Sequence, residues 1–95
     1  MTLEEFIASA QFPDQLSEEL RALWEDAGDN WDAAHQIVQS LNSRDAMWIH
    51  AYLHRKEGDL SNSHYWYSRA RRAMPDIPLD TEWQMISSEL LDRKS

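Results

Sequence analysis

The sequence has no cysteine, few glycines and prolines, and little of what a β-sheet needs. Without cysteine among its 95 residues, the chain has no disulfide, no thiolate metal site and no cysteine nucleophile. Only two threonines and one valine are present, and no stretch alternates cleanly between apolar and polar residues, which argues against strands. No apolar run approaches the ~20 residues that span a bilayer, and the N-terminus lacks the basic start of a signal peptide. We therefore expect a cytoplasmic protein that does not contact membranes.

The apolar and charged residues that are present indicate one soluble domain. Apolar residues make up 42% of the chain, and five tryptophans, three tyrosines and two phenylalanines enlarge the core of so small a domain. The net charge of −8 is uneven, because residues 1–32 carry −8, residues 33–75 carry +3 and residues 76–95 carry −3. This acidic balance argues against nucleic acid as a partner. The basic middle segment either pairs with the acidic N-terminal third or forms a groove for an acidic peptide.

Apolar residues recur at helical spacing along the whole chain and predict six helices. Glycine and proline stand where helices should end, and small polar residues stand where helices should begin. We expect helix starts capped by Thr2 with Glu5, by Asp29 or Asn30, by Ser43, by Asp59 and by Asp80, and helix ends near Pro13, Gly28, Gly58 and Met74. Helices joined by such short loops predict an all-α domain of consecutive antiparallel hairpins.

An internal repeat relates the two central hairpins. The pair Gly28-Asp29 recurs 30 residues later as Gly58-Asp59, so each half consists of a helix, a Gly-Asp turn and a second helix. We expect the glycine of each turn to adopt a left-handed conformation, which glycine reaches without steric cost. In this register the following residues are equivalent: Leu23 and Leu53, Ala33 and Ser63, His35 and Tyr65, Ile37 and Tyr67, and Ser40 and Ala70.

This pattern resembles the tetratricopeptide repeat. The family's small, aromatic and closing positions are occupied by Ala51, Gly58, Ser63, Tyr67, Ala70 and Pro75. The first repeat is a degenerate copy, and its period of 30 residues is shorter than the family's ~34. The resemblance implies a non-catalytic protein-interaction module built as a right-handed two-repeat array. It also implies one domain, residues 1–95, with a capping helix in 1–13, repeats at 16–45 and 46–75, and a second capping helix at 79–93.

No motif in the chain carries a recognisable catalytic mechanism. The run from His50 to Leu60, followed by Tyr65-Trp66-Tyr67, is similar to a small bacterial protein family without assigned function, which implies no chemistry. The chain has neither a nucleophile elbow nor a glycine-rich phosphate loop. We therefore assign no catalytic residue and no cofactor.

One face of the fourth helix is the predicted binding surface. Trp48, Tyr52 and Arg55 lie on one helix face, where the tetratricopeptide resemblance implies a groove for a peptide. The alternative is that the first or last helix covers these rings and completes the core. If the face is open, we expect it to bind an acidic protein or peptide segment, or a second copy of the chain. The predicted binding residues are Trp48, Tyr52, Arg55, Lys56, Tyr65 and Arg69.

A group of histidines provides a competing hypothesis. His50 and His54 are four residues apart, so both imidazoles project from one helix face at a spacing that suits a shared metal ion. His64 on the neighbouring helix is the candidate third ligand. This arrangement favours a metal- or small-ligand-dependent enzyme or sensor. The simpler interpretation, which the repeat register favours, is that these histidines are packed and hydrogen-bonded inside the domain.

Overall fold

Six α-helices build the described part of the chain. The computed structural model describes residues 1–94 and contains no strand there, which confirms the all-α prediction. None of the helices in this range is long and apolar enough to cross a membrane. The helices are α1 (Leu3–Ala8), α2 (Glu18–Ala27), α3 (Trp31–Gln39), α4 (Arg44–Glu57), α5 (Leu60–Ala70) and α6 (Leu79–Lys94).

Most of the predicted helix caps are confirmed. Thr2 and Glu5 form the expected capping box at the start of α1. At the next predicted starts, the side chains of Asn30, Ser43 and Asp59 each accept a hydrogen bond from a backbone N–H of the following turn. These contacts are local, so the sequence alone is enough to locate them.

Three of the predicted helix boundaries are wrong. Helix α1 ends at Ala8 rather than near Pro13, because Ser9 takes an extended backbone conformation. Helix α5 ends at Ala70 rather than near Met74, because Arg71 takes a left-handed backbone conformation with φ of 60°. Helix α6 begins at Leu79, directly after Pro78, so Asp80 lies inside the first turn and is not the cap.

The two Gly-Asp turns differ in their backbone. Gly58 has φ of 90° and adopts the expected left-handed conformation. Gly28 does not, because its φ is −83° and the next residue, Asp29, takes the positive φ of 64° instead. The first turn therefore holds one residue more than the second. Helix α3 begins three residues after Gly28, whereas α5 begins two residues after Gly58.

This extra residue changes the repeat register of the second helices. Leu23 and Leu53, 30 residues apart in the first helices, are both fully buried as expected. In α3 and α5 the buried pairs are 29 residues apart: Ala34 with Ser63, and Val38 with Tyr67. The predicted equivalences of Ala33 with Ser63 and of Ile37 with Tyr67 are therefore displaced by one residue.

Helix α6 packs against the two hairpins and anchors α1. The indole N–H of Trp83 donates a hydrogen bond of 2.9 Å to the backbone carbonyl of Leu23 in α2. The ring of Trp83 also stacks against Phe6 of α1, with the ring centres 6.0 Å apart. Because Phe6 is fully buried, α1 and α6 together cover apolar surface that the hairpins would otherwise expose to water.

Candidate metal centre

Three histidine side chains converge between α3 and α4. His50 and His54 project from one face of α4, as their spacing predicts, and His35 reaches them from α3. One potential ligand nitrogen from each lies within 4.8 Å of the other two. Nε2 of His35 and Nε2 of His50 are 3.1 Å apart. His50 and His54 are buried, whereas His35 is half-buried and lies at the edge of the cluster.

Two indole rings enclose the histidine cluster. Trp31 stacks on His35 with the ring centres 4.9 Å apart and the planes 9° from parallel. On the other side, Trp66 of α5 stacks on His50 at 4.0 Å and 14°. Trp31 is fixed by its own hydrogen bond of 2.9 Å from the indole N–H to the carbonyl of Leu53. The imidazole positions are therefore held by packing from three helices.

A carboxylate orients the third imidazole. Oε2 of Glu57 lies 2.6 Å from Nδ1 of His54, one turn further along α4. An ionised carboxylate only accepts hydrogen bonds, so this contact places an imidazole proton on Nδ1 and makes Nε2 the nitrogen that could bind an ion. Metal-binding histidines commonly carry such a carboxylate on the nitrogen that does not bind the ion. His54 and Glu57 also form a second, more exposed group with Asp59.

Burial lowers the pKa of two of the three histidines. Burial, together with the neighbouring His35 and His54, lowers the pKa of His50 to about 4. The pKa of His35 is also lowered, mainly by burial and then by His54. Both imidazoles are therefore neutral near pH 7, and this is the protonation state that a metal ion requires.

One of the three nitrogen separations is close to that of a tetrahedral zinc site. Zinc–nitrogen bonds of about 2.0–2.1 Å place two ligand nitrogens of a tetrahedral ion roughly 3.3–3.4 Å apart. The observed separation of 3.1 Å between His35 and His50 needs to widen by only a few tenths of an ångström. In the present arrangement one of these nitrogens donates a hydrogen bond to the other, so the donor imidazole would bind an ion through Nε2 only in its other tautomer, with the proton on Nδ1.

The sequence identified two members of this cluster and missed the third. His64, the predicted third ligand, is exposed on α5 and belongs to neither group of potential ligands in residues 1–94. Its place is taken by His35, which the 30-residue repeat register equated with Tyr65. The feature of the sequence that could have pointed to His35 is its four-residue spacing from Trp31, which places both rings on one face of α3.

The predicted groove is part of the protein interior. Trp48 and Tyr52 are only 4% and 2% exposed, so the alternative in which a terminal helix completes the core describes this face. Arg55 is also engaged, since its Nη1 donates to Glu82 of α6 at 2.8 Å. The prediction that these three residues form an exposed binding surface is therefore wrong.

Two buried carboxylates explain why these polar side chains point inward. Asp26, which is 3% exposed, accepts hydrogen bonds from the hydroxyl of Tyr52 at 2.8 Å and from Nζ of Lys56 at 2.9 Å. Glu82 accepts from the hydroxyl of Tyr67 and from Arg55. Burial, and the carboxylate that each hydroxyl contacts, raise the pKa of both tyrosines. Each carboxylate is thus paired with one cation and one phenol.

Part of the predicted binding set remains accessible on α5. Tyr65 is exposed, and Arg69, one turn later, donates a hydrogen bond of 3.0 Å to its hydroxyl. The guanidinium of Arg69 also lies over the Tyr65 and Trp66 rings, 5.7 and 5.3 Å from their centres. Lys56 keeps a side-chain exposure of 38% while it pairs with Asp26.

Fold and site together define an all-α protein with a three-histidine cluster between two helical hairpins. Comparisons with known proteins give no relative that would indicate a function. No protein-family model matches the chain, and neither a curated protein nor a solved structure matches it.

Proposed function

We propose that this protein binds a divalent transition-metal ion through His35, His50 and His54, and that it acts as a metal-dependent enzyme or sensor at this centre. The observation that carries the proposal is the convergence of three imidazoles from two helices. Chance packing of histidines explains one contact between a pair of rings. The carboxylate on the outer nitrogen of the third ring adds the partner that metal-binding histidines commonly carry.

The donor set indicates which ions the centre would accept. Imidazole nitrogen suits zinc, copper, iron and nickel, whereas magnesium and calcium require oxygen ligands. Three nitrogen ligands leave the fourth position of a tetrahedral zinc ion for water or a small molecule, as in catalytic zinc sites. Water on such an ion loses a proton near neutral pH, which would supply a nucleophile or a group that a ligand can displace.

The test is a metal titration of tag-free, chelator-treated protein. We expect Zn²⁺ to bind with a stoichiometry of one by isothermal titration calorimetry, and we expect His35→Ala and His54→Ala each to weaken binding by about 100-fold or more. His64→Ala removes an exposed histidine outside the cluster, so it should bind as the unmodified protein does. Circular dichroism confirms that each variant is helical.

Two results would overturn the proposal. The first is the absence of Zn²⁺, Cu²⁺, Ni²⁺ and Fe²⁺ binding by the unmodified protein at micromolar concentrations. The second is equal loss of affinity in His64→Ala and His54→Ala, because binding would then depend on exposed histidines rather than on the cluster.

A second candidate function is protein interaction at the accessible face of α5. It is favoured by the exposure of Tyr65 and by the guanidinium of Arg69 over two aromatic rings, a composition common at binding hot spots. The tetratricopeptide resemblance and the positive charge of Arg69 favour an acidic protein segment as the partner. A second copy of the chain is the alternative. Sedimentation of the protein and of Tyr65→Ala over a concentration series tests self-association, and a monomer at every concentration would contradict it.

A further inference from the structure

Four arginines line one cleft of this acidic protein. Arg44, Arg71, Arg72 and Arg93 surround a cavity of about 380 Å³ together with Asp45 and Ala70. The whole chain has nine lysines and arginines against seventeen acidic residues. The collection of four cations at one place therefore opposes the overall charge of the surface.

Two of these arginines are held in place by acidic residues. Arg93 binds Asp45 through Nη1, with the shorter contact at 2.6 Å, and it also contacts Glu89. Arg72 contacts the same Glu89 at 2.7 Å, and its guanidinium lies 3.5 Å from the ring centre of Trp48. These contacts fix two guanidinium groups at the walls of the cleft.

The other two arginines have no acidic partner. The side chains of Arg44 and Arg71 make no hydrogen bond or ion pair within residues 1–94, and both residues are exposed. The cleft therefore carries about two positive charges that the protein itself does not neutralise. Because Arg44 is the first residue of α4, the partial positive charge of this helix N-terminus adds to the same field.

The backbone of Arg71 provides a second observation. Arg71 ends α5 with φ of 60°, in the left-handed region that glycine adopts at no steric cost. An arginine at this position is less favourable for folding than glycine, and within residues 1–94 its side chain makes no hydrogen bond or ion pair that offsets the difference. The residue is therefore better explained by what its side chain does in the cleft than by the stability of the turn.

We propose that this cleft binds a small soluble ligand that carries phosphate groups. The planar guanidinium group matches the geometry of phosphate oxygens and can bind two of them at once. The cavity volume is at the lower end of the range of about 300–1,000 Å³ for small-molecule sites. The cleft and the histidine cluster share no residue, and on α4 Asp45 lies five residues before His50, roughly 7.5 Å along the helix axis.

The test measures the binding of pyrophosphate and inorganic phosphate by calorimetry, at low ionic strength and with a chelator present to remove metal ions. We expect pyrophosphate to bind more tightly than phosphate, because it presents more charge to the unpaired guanidiniums. Arg71→Gly should weaken pyrophosphate binding on the order of tenfold, and its melting temperature should stay the same or rise. Arg44→Gln should weaken binding similarly without altering the turn.

Two control variants separate this site from general effects. Besides Arg71, Asp29 is the described non-glycine residue with positive φ, and it lies outside the cleft. Asp29→Gly removes the steric cost of that backbone conformation, so it should raise the melting temperature and leave pyrophosphate affinity unchanged. Arg21→Gln removes a cation from α2, where Arg21 pairs with Glu25, and should also leave that affinity unchanged.

Several outcomes would overturn the inference. They are the absence of pyrophosphate binding at millimolar concentrations, full retention of affinity in Arg71→Gly and Arg44→Gln, and equal losses in Arg21→Gln. Tighter binding of a single-stranded oligonucleotide with the same dependence on Arg71 would show that the ligand is a polymer rather than a small molecule.

Discussion

Glu57 lies one turn after His54 on α4, and its Oε2 is 2.6 Å from the Nδ1 of that imidazole. Since His54 is buried whereas Glu57 is exposed, the carboxylate approaches the cluster from its solvent side. The contact determines which nitrogen of His54 faces outward. Glu57 is therefore a positioning residue for the proposed metal centre rather than one of its three ligands.

This relationship predicts the effect of neutralising Glu57. Glu57→Gln should weaken Zn²⁺ binding by about 10- to 100-fold while the stoichiometry stays at one, because outer carboxylates tune the basicity and orientation of a ligand histidine. Calorimetric titration of the chelator-treated protein measures the change. Glu4→Gln, which removes an exposed carboxylate of α1, is the control for net charge, and an equal loss there would exclude a specific role for Glu57.

The metal-free protein should lose stability as the pH falls from about 6.5 to about 4. The pKa of His50 is about 4 in the folded state, against 6.5 for an exposed histidine. The unfolded chain therefore binds more protons than the folded chain in this interval, which lowers the free energy of unfolding as the pH falls. His35, with its lowered pKa, acts in the same direction. The groups around His50 are His35 on α3, His54 on α4 and the uncharged Trp66 on α5.

Urea unfolding at a series of pH values measures this dependence. The shift of His50 corresponds to at most about 3 kcal/mol between the two ends of the interval. His50→Phe, which does not titrate, should have a smaller pH slope than the unmodified protein over the same range. An unchanged slope in that variant would show that other groups cause the acid sensitivity.

The ion pair between Arg55 and Glu82 should be critical for folding. Glu82 is 1% exposed, so Arg55→Ala leaves a carboxylate buried without its cation, which costs about 3–5 kcal/mol in the free energy of unfolding. The double variant Arg55→Met with Glu82→Met should be more stable than the single variant, because it removes both charges. Urea unfolding compares the three proteins, and a loss below about 1 kcal/mol for Arg55→Ala would contradict the buried pair.

The burial of Trp48 predicts how two aromatic variants will differ. Trp48→Ala should destabilise the fold by about 3–5 kcal/mol, because a large side chain leaves the core and its space is only partly refilled. Tyr65→Ala, at an exposed position of α5, should change stability by about 0.5 kcal/mol or less. Thermal unfolding followed by circular dichroism measures both, and a stable, fully helical Trp48→Ala protein would place the ring outside the core.

The histidine cluster shows what could be predicted of the site. His50 and His54 could be paired from their spacing, because residues four apart on one helix always share a face. His35 could not be assigned in the same way, since its distance from His50 depends on how α3 is rotated against α4. The first turn has one residue more between its glycine and the next helix than the second turn has, so α3 is rotated relative to the orientation that the 30-residue register predicts. The matching Gly-Asp pairs do not reveal this extra residue.

The sequence by itself determined the six helices and most of their ends, because apolar periodicity and capping act within one or two turns. Only the tertiary structure decided which face of each helix is buried. Trp48, Tyr52 and Arg55 share a face of α4 in any helical arrangement. That face is buried because α6 packs against it and contributes Glu82 as the partner of Arg55. Whether a surface is open or covered depends on contacts between residues that are distant in the chain, and the local spacing of residues does not indicate those contacts.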